Sequence, residues 1–401
     1  MDTACKKAFG SLRLTGPLRC AVTSCVGKGF ASDLSSTSLV TDDLPSPLDL
    51  RELERLVDEA RGPALRQRVL GKDRSQANYA WRSTLRGCVR KLTSTARHRD
   101  MLKARQSTID HNYLLDLIVQ QRGLCAYSGV PMEMFRPNSH WRISLERIDT
   151  SVGYVKGNCC LIAQEFNSTV TKGTQLDLSK GSAQWSRHKV EALVGVRSQV
   201  PQMQHSLLPA TMCSRPRPVR KMFRGPDEHD NFLCTRCGSW KARDRFYPRL
   251  KGAVGLQSMC KECESQWHLA YRGTLRGHAH SMLCSARQRA LRGVWSGTFS
   301  LDLSDLLNML SDQEGRCYYS GVPLHCARGP ADWVWSLERL DNSATYTRDN
   351  CVLIAQEFNT PDQSRNKSRY EVFGTAQWSR SKVRHIWGSF WPDDGISRGH
   401  S

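Results

Sequence analysis

SLERIDTSVGYVKGNCCLIAQEFN, from Ser144 to Asn167, returns as SLERLDNSATYTRDNCVLIAQEFN from Ser336 to Asn359, without a gap and with 16 of 24 positions identical. Chance does not produce such a match, and internal similarity exposes architecture before secondary structure does. Moving outward, AWRSTLRG pairs with AYRGTLRG, GLCAYSGVPM with GRCYYSGVPL, and GSAQWSRHKV with GTAQWSRSKV, always in the same order. The copies run from about Ala80 to Leu193 and from Ala270 to Trp387.

Each copy reads as a helix, a strand pair and a second helix. In copy two, SMLCSARQRALRG forms a helix, and SLDLSDLLNMLSDQEG forms another, with Leu at helical spacing behind an Asp- and Ser-rich start. A turn at Ser320-Gly321-Val322-Pro323 follows. Trp333 to Leu337 alternates as a strand, Asp341 to Asp349 is loop, and Asn350 to Asn359 reads as the closing helix. Ahead of copy one, LDLRELERLVDEARG has the apolar spacing of an amphipathic helix.

A chain of 401 residues suits two or three domains. Its 58 Lys and Arg against 38 Asp and Glu give a formal charge of +20, enough to hold a polyanion by counterion release. Nucleic acid is therefore the expected partner, DNA ahead of RNA; the sequence names no protein partner. No apolar run approaches the roughly 20 residues of a membrane span, so no membrane role is expected. The 16 cysteines fit metal binding in a reducing, intracellular compartment better than a secreted disulfide framework. The first 32 residues carry Lys6, Lys7, Arg13, Arg19 and Lys28 against Asp2 alone. They read either as an organellar transit peptide or as a disordered tail, which leaves mitochondrion, chloroplast and nucleus open.

Between the copies, residues 197–228 hold Pro201, Pro209, Pro216 and Pro218 without apolar periodicity, as a linker does. Then Cys234-Thr-Arg-Cys237 and Cys260-Lys-Glu-Cys263 form two Cys-x-x-Cys knuckles separated by 22 residues. Four thiolates converging on one tetrahedral ion is the arrangement zinc favours. With every position taken by sulfur, the Zn2+ would be structural. Lys241, Arg243, Arg245, Arg249 and Lys251, interleaved with Trp240, Phe246 and Tyr247, could lie along a phosphate backbone. Copy one has no such unit, which resembles small four-cysteine units found ahead of HNH modules in viral and algal proteins.

The repeated block resembles the HNH (ββα-metal) endonuclease family. In that family a strand ends in an acid followed by His, an Asn lies on the loop, and a helix supplies a final His or Asn. The resemblance implies one divalent metal, Mg2+ or Mn2+, on the scissile phosphate. By position, Glu146 and Glu338 stand as the strand-end metal acid, and Asn167 and Asn359 as the helix ligand. Asn158 and Asn350 match the loop Asn that orients the site, nine residues before the final Asn in both copies. The general-base position holds Arg147 and Arg339, and guanidinium does not accept a proton from water. It can bind phosphate and stabilise developing charge, and viral and algal members share the acid-Arg-Ile-Asp pattern. If such members cut, either Asp149 and Asp341 or a metal-bound hydroxide would have to be the base. The knuckles that many HNH modules wrap around their site are missing: Cys125 and Cys317 face Ser128 and Ser320, and with Cys159 and Cys351 they read as buried thiols.

The expected fold class is thus α+β: two ββα-metal modules with added helices, a linker and a small four-cysteine zinc unit. The expected divisions are 1–44 (tail), 45–196 (module one with its leading helix), 197–228 (linker), 229–268 (zinc unit) and 269–401 (module two). Three functions fit: a divalent-metal DNA endonuclease, a non-catalytic DNA- or RNA-binding protein on the same scaffold, and, compatible with the N-terminal composition, a structural scaffold bound to an organellar ribonucleoprotein. Alternatively, Glu338, Asn350 and Asn359 hold structure only, with Glu357 pairing Arg339. His140 precedes the first strand but has Asp332 as its counterpart, so it is no shared catalytic element. His98, His111, His188, His278, His280 and His385 lack metal-ligand spacing. The repeated Gln-Trp-Ser-Arg, at Gln184 to Arg187 and Gln377 to Arg380, reads as a packing anchor.

Overall fold

A computed structural model describes residues 45–63, 74–137, 139–168, 184–201, 224–250, 254–293, 296–326, 331–360 and 377–391. The N-terminal 1–44 segment, most of the linker (202–223) and Lys251 lie outside these residues. Among the described residues the fold is α+β, helices with small two-stranded antiparallel sheets. No helix there is long and apolar enough to cross a membrane.

The leading helix α1 (Leu50–Arg61) starts at Asp49, whose carboxylate accepts from the Arg51 N–H, and it buries Leu53, Val57 and Ala60. That stripe at helical spacing is what the sequence pattern anticipated. Helices α2 (Arg74–Arg82) and α3 (Leu85–Leu102) meet at the first copy of the Thr-Leu-Arg-Gly motif. Thr84 caps α3 by accepting from the Gly87 N–H while its own hydroxyl donates to the Trp81 carbonyl, 2.8 Å away. A Cβ on Gly87 would fall 1.9 Å from the Trp81 oxygen, so the corner admits only glycine. Between α6 (Lys261–Arg272) and α7 (Leu275–Arg292) the motif repeats, with Thr274 as cap and 1.8 Å between a Gly277 Cβ and the Tyr271 oxygen. The recurrence of the motif is therefore a steric requirement of the helix corner.

Helices α4 (His111–Gln120) and α8 (Leu303–Asp312) follow, the second with a full capping box between Asp302 and Asp305. Next come the strand pairs: β1 (Ile143–Arg147) with β2 (Cys159–Ala163), and β7 (Trp335–Arg339) with β8 (Cys351–Ala355). Both pairs are antiparallel, with Glu146 opposite Cys160 and Glu338 opposite Val352. The outer edges of β2 and β8 are closed by glutamines at the ends of α4 and α8. Gln313 donates to the Leu353 carbonyl at 2.7 Å and accepts from its N–H at 2.9 Å, and Gln121 treats Leu161 the same way. One side chain thus satisfies both backbone groups that a neighbouring strand would have taken.

The helix expected over Asn350 to Asn359 is a strand and a turn. Cys351–Ala355 is β8, a turn follows, and the equivalent turn in copy one is the 3-10 segment Gln164–Phe166. A five-residue apolar run is compatible with either conformation from pattern alone, and here both faces are buried while β7 and Gln313 meet its hydrogen bonds. Strand β7 also begins at Trp335 rather than at Trp333, which sits at φ +61° just ahead of it.

Helices α5 (Arg187–Arg197) and α9 (Arg380–Trp387) knit the copies together. Each is preceded by the buried tryptophan of its Gln-Trp-Ser-Arg motif. Trp185 packs edge-on against Phe166 of its own copy (5.5 Å) and Phe358 of the other (5.2 Å), and Trp378 does the converse at 5.3 and 5.2 Å. The two indoles lie 5.3 Å apart. From this centre each helix sends a lysine into the opposite copy. Lys189 reaches Glu357 and, at 2.7 Å, Asp332, over the face of Trp333. Lys382 reaches Glu165 at 2.6 Å and His140 at 2.7 Å, over the face of Trp141. Trp141 and Trp333, both at positive φ, donate their N–H groups to these same acids. Glu357 therefore pairs with Lys189 and not, as the sequence suggested, with Arg339. His140 and Asp332 do occupy equivalent places, as acceptors for the crossing lysine.

The four-cysteine unit has its own small core of Phe232, Phe246 and Leu256 with three of the cysteines. It is built from β3 (Asn231–Leu233) paired with β4 (Trp240–Ala242), and β5 (Phe246–Pro248) paired with β6 (Leu256–Cys260).

Candidate functional site

On β7, Ser336 and Glu338 alternate with Leu337 and Arg339, so Ser336 and Glu338 share one face of the sheet. The chain leaving β8 brings Asn359 to that face: its Nδ2 donates to Ser336 Oγ at 2.9 Å and to the Leu337 carbonyl at 3.0 Å. Copy one repeats this with Asn167, Ser144 and Leu145 at 2.9 and 3.1 Å. The amide nitrogen is committed, and the carbonyl oxygen is the atom a cation would take. Both asparagines lie in the turn after the strand and not on a helix.

Glu338 is 5 % exposed, and its Oε1 is buried without a hydrogen-bond partner. Burial pushes this carboxyl up to about 7, against the opposing charges of Arg339 and Arg289. Burial also pushes Glu146 up, against the Arg147 amide and the charges of Arg147 and Arg99. Arg99 on α3 and Arg289 on α7 occupy the same place in the two copies and were not singled out from sequence. The detectable signal was an arginine recurring at the same distance after Thr-Leu-Arg-Gly. Tyr127 and Tyr319 complete each setting: burial first, then the nearby glutamate charge, raises both phenols. The Arg289 guanidinium lies 5.5 Å over the Tyr346 ring, near enough for its charge to act on Glu338. A buried carboxylate with a displaced pKa and an amide on one face, with an arginine charge nearby, is an arrangement suited to a cation and a phosphate.

Arg147 and Arg339 project from the opposite face of their strands. Arg147 donates to the carbonyls of Thr150 (2.9 Å) and Val152 (3.1 Å) and lies 5.1 Å over the Tyr154 ring. Arg339 donates to Asn342 (3.3 Å) and Ala344 (2.8 Å) and lies 4.9 Å over Tyr346. Each guanidinium thus organises the loop between its strands. The loop asparagines do the same from the other end. Asn350 accepts from the Asp341 N–H at 2.8 Å and donates to the Asp341 and Thr345 carbonyls at 2.8 and 2.9 Å. Asn158 repeats this on Asp149 and Gly153. Asp149 and Asp341 accept from Ser151 and Ser343, whose hydroxyls first, then amides, hold these carboxyls below their ordinary range. Thr345 in place of Gly153 is accommodated because the α7–α8 connection, two residues longer than its α3–α4 counterpart, passes it differently: the Thr345 N–H donates to the Ser296 carbonyl, where a Gly153 Cβ would fall 2.0 Å from the Gln106 oxygen.

Cys234, Cys237, Cys260 and Cys263 converge, their sulfurs all within 4.8 Å of one another. The turn after β3 and the start of α6 deliver the two pairs, and the Cys260 N–H points at Cys234 Sγ, 3.3 Å away. Desolvation pushes Cys263 up to about 12, whereas hydrogen bonds from Ser239 and the neighbouring sulfurs outweigh desolvation and bring Cys237 down to about 6. Four thiols this close could hold one metal ion such as zinc. Trp240 and Tyr247 are about half exposed on the same unit, but Lys241 and Arg245 are tied to Glu262, and Arg243 to Asp230. Cys125, Cys317, Cys159 and Cys351 are buried single thiols, the first two accepting from the Ala163 and Ala355 N–H groups at 3.3 Å.

No protein-family model and no solved structure matches the chain. It is similar, at 32 % identity over 83 residues, to an uncharacterised 29.0 kDa protein from the dda-modA intergenic region of Enterobacteria phage T4. The match covers 20 % of this chain and 32 % of the phage protein, so the chain spans about a third of that relative.

Proposed function

We propose that the protein carries two HNH-like ββα-metal modules and hydrolyses DNA phosphodiester bonds with a divalent metal, Mg2+ or Mn2+, beside a structural zinc unit. The observation that carries this reading is the Glu338 carboxylate, buried with an unpartnered oxygen on the face that also receives Asn359, and repeated in outline by Glu146 and Asn167. An anionic oxygen in that position costs free energy unless a cation joins it. Glu338 and Asn359, and Glu146 and Asn167, would hold the ion, which would supply positive charge to a phosphate oxygen. Arg99 and Arg289, whose charges act on these glutamates, would draw the phosphate toward them. Asn158 and Asn350 keep the loop rigid beneath it.

The test is nicking of supercoiled plasmid with Mg2+ or Mn2+. Wild type is expected to nick, and Glu146→Gln with Glu338→Gln to abolish it. Failure of wild type with either metal, or undiminished nicking by the double variant, would overturn the proposal. A second reading, a non-catalytic DNA- or RNA-binding protein on this scaffold, is favoured by one observation: Arg147 and Arg339 are engaged with loop carbonyls and offer no proton acceptor. That reading expects salt-sensitive binding that survives loss of both glutamates. Restored or enhanced cleavage by Arg339→His would favour the first.

A further inference from the structure

The two copies differ where α3 faces β1 in copy one and α7 faces β7 in copy two. In copy one this junction is a cleft of about 190 Å³, well above the roughly 15 Å³ that one water needs. Arg82, Lys91, Arg99, Arg136 and Arg142 line it, and no acid does. Arg136 is partly compensated by Glu133, 2.7 Å away, and Arg142 donates to Gln164 at 3.3 Å. Arg82, Lys91 and Arg99 make no ion pair among the described residues. Arg99 already acts on the Glu146 charge, but Arg82 and Lys91 reach the same recess, which no acid lines, and an anion there relieves their mutual repulsion.

Copy two keeps Arg272 and Arg289 where copy one has Arg82 and Arg99, but its described residues differ at other positions of this junction. Lys91 is replaced by Ser281, Arg142 by Val334, and the Cys88 and Ile143 walls by His278 and Trp335. Those two rings fill the equivalent junction: the Trp335 indole N–H donates to His278 Nδ1 at 2.7 Å, with the rings edge-on at 5.5 Å. In copy one the cleft is also lined by Ser144, the hydroxyl that anchors Asn167 on the Glu146 face. An anion in the cleft would therefore lie beside the candidate metal face.

We propose that the α3–β1 cleft of copy one is a phosphodiester-binding subsite for the DNA backbone, which copy two does not share. The two copies thus have unequal work: copy one grips the strand through Arg82 and Lys91, and copy two engages DNA without this grip. This rests on the nucleic-acid reading above.

The experiment is fluorescence polarisation of a short labelled DNA duplex titrated with the full chain across a salt series. Arg82→Gln with Lys91→Gln should lower the slope of log affinity against log salt by about 1.8, two phosphate contacts at about 0.9 each, and weaken binding at least roughly tenfold near physiological salt. Ser281→Lys, which restores the missing charge in copy two, should leave affinity within about twofold, because the recess there is filled. Unchanged binding by the copy-one pair, or a matching gain from Ser281→Lys, would overturn the proposal while leaving the nucleic-acid reading intact. A wild type that does not bind the duplex even at low salt would overturn both. Inorganic phosphate that displaces the duplex at matched ionic strength would make the cleft a free-phosphate site and refute the DNA assignment. Both Arg82 and Lys91 lie on helix surfaces, and an unchanged thermal midpoint would show that their loss acts on binding and not on folding.

Discussion

Replacing Lys382 with methionine tests whether the two copies fold as one body. The lysine lies on α9, near the end of the chain, yet its ammonium sits 2.6 Å from Glu165 in copy one, whose side chain is 0 % exposed. Met fills a similar volume beside the Trp141 ring, over which the ammonium lies at 5.3 Å, so the loss is chiefly electrostatic. It leaves a fully buried carboxylate held by the Trp141 N–H at 2.9 and 3.1 Å, with His140 Nδ1 3.8 Å away. Removing one partner of a buried pair costs about 3–5 kcal/mol. With a urea m-value of about 3 kcal/mol/M for a chain of this size, the unfolding midpoint falls by about 1 M or more. Tryptophan fluorescence is a direct readout, because Trp141, Trp185 and Trp378 are all within this cluster. Adding Glu165→Gln removes the stranded charge but keeps an acceptor for Trp141, and should restore most of the loss. The coupling energy between the two sites should then be about 2 kcal/mol or more. If each copy folded around its own core, residues so far apart in sequence would not couple at all. A single-variant loss below about 1 kcal/mol, or additive effects in the double variant, would refute the crossed arrangement.

Three further outcomes are expected. Because burial raises the folded-state pKa of Glu338 from 4.5 to about 7, its contribution is fully present below about pH 4.5 and is lost as pH rises through 7. In metal-free protein, Glu338→Gln should therefore gain stability relative to wild type by about 3 kcal/mol between pH 4.5 and 8, measured by urea unfolding with chelator present, and a pH-independent difference would contradict this. Elemental analysis should find one zinc per chain, and stripping it should unfold the unit around Phe232 and Phe246 while the tryptophan cluster keeps its near-ultraviolet circular dichroism; loss of both signals together would show that the unit is not separately cored. Gly277→Ala should cost about 1–3 kcal/mol, read from the thermal midpoint, because its Cβ meets backbone that cannot move aside; a neutral effect would mean that the helix corner is looser than drawn.

What could be read from the sequence was whatever local chemistry dictates. The apolar stripe of Leu53, Val57 and Ala60, the Asp302 start of α8 and the paired cysteines each announce themselves within a few residues. The repeat likewise brought Glu338, Asn350 and Asn359 into view, because each has an identical counterpart at the same place in the other copy. The Asn350 to Asn359 segment misled because Cys-Val-Leu-Ile-Ala is short and wholly buried, and its strand partner lies elsewhere in the chain. Arg147 and Arg339 carried no mark of their orientation, which depends on the pleat and on carbonyls of the following loop. The crossing lysines were the least visible of all. Nothing near Lys189 in the chain hints at Glu357, 168 residues on, and the pairing emerges only when the two copies are set against each other.

The crossing also has a consequence in time. Glu165 waits for a cation that leaves the ribosome 217 residues later, a delay on the order of 10–40 s at about 5–20 residues per second. Throughout that interval the first copy lacks the charge that closes its centre. The nascent chain must therefore pass through a long half-finished stage. Chains arrested before residue 380 should be cut by protease within copy one at sites that the finished protein protects, and equal protection of both would show that copy one closes by itself.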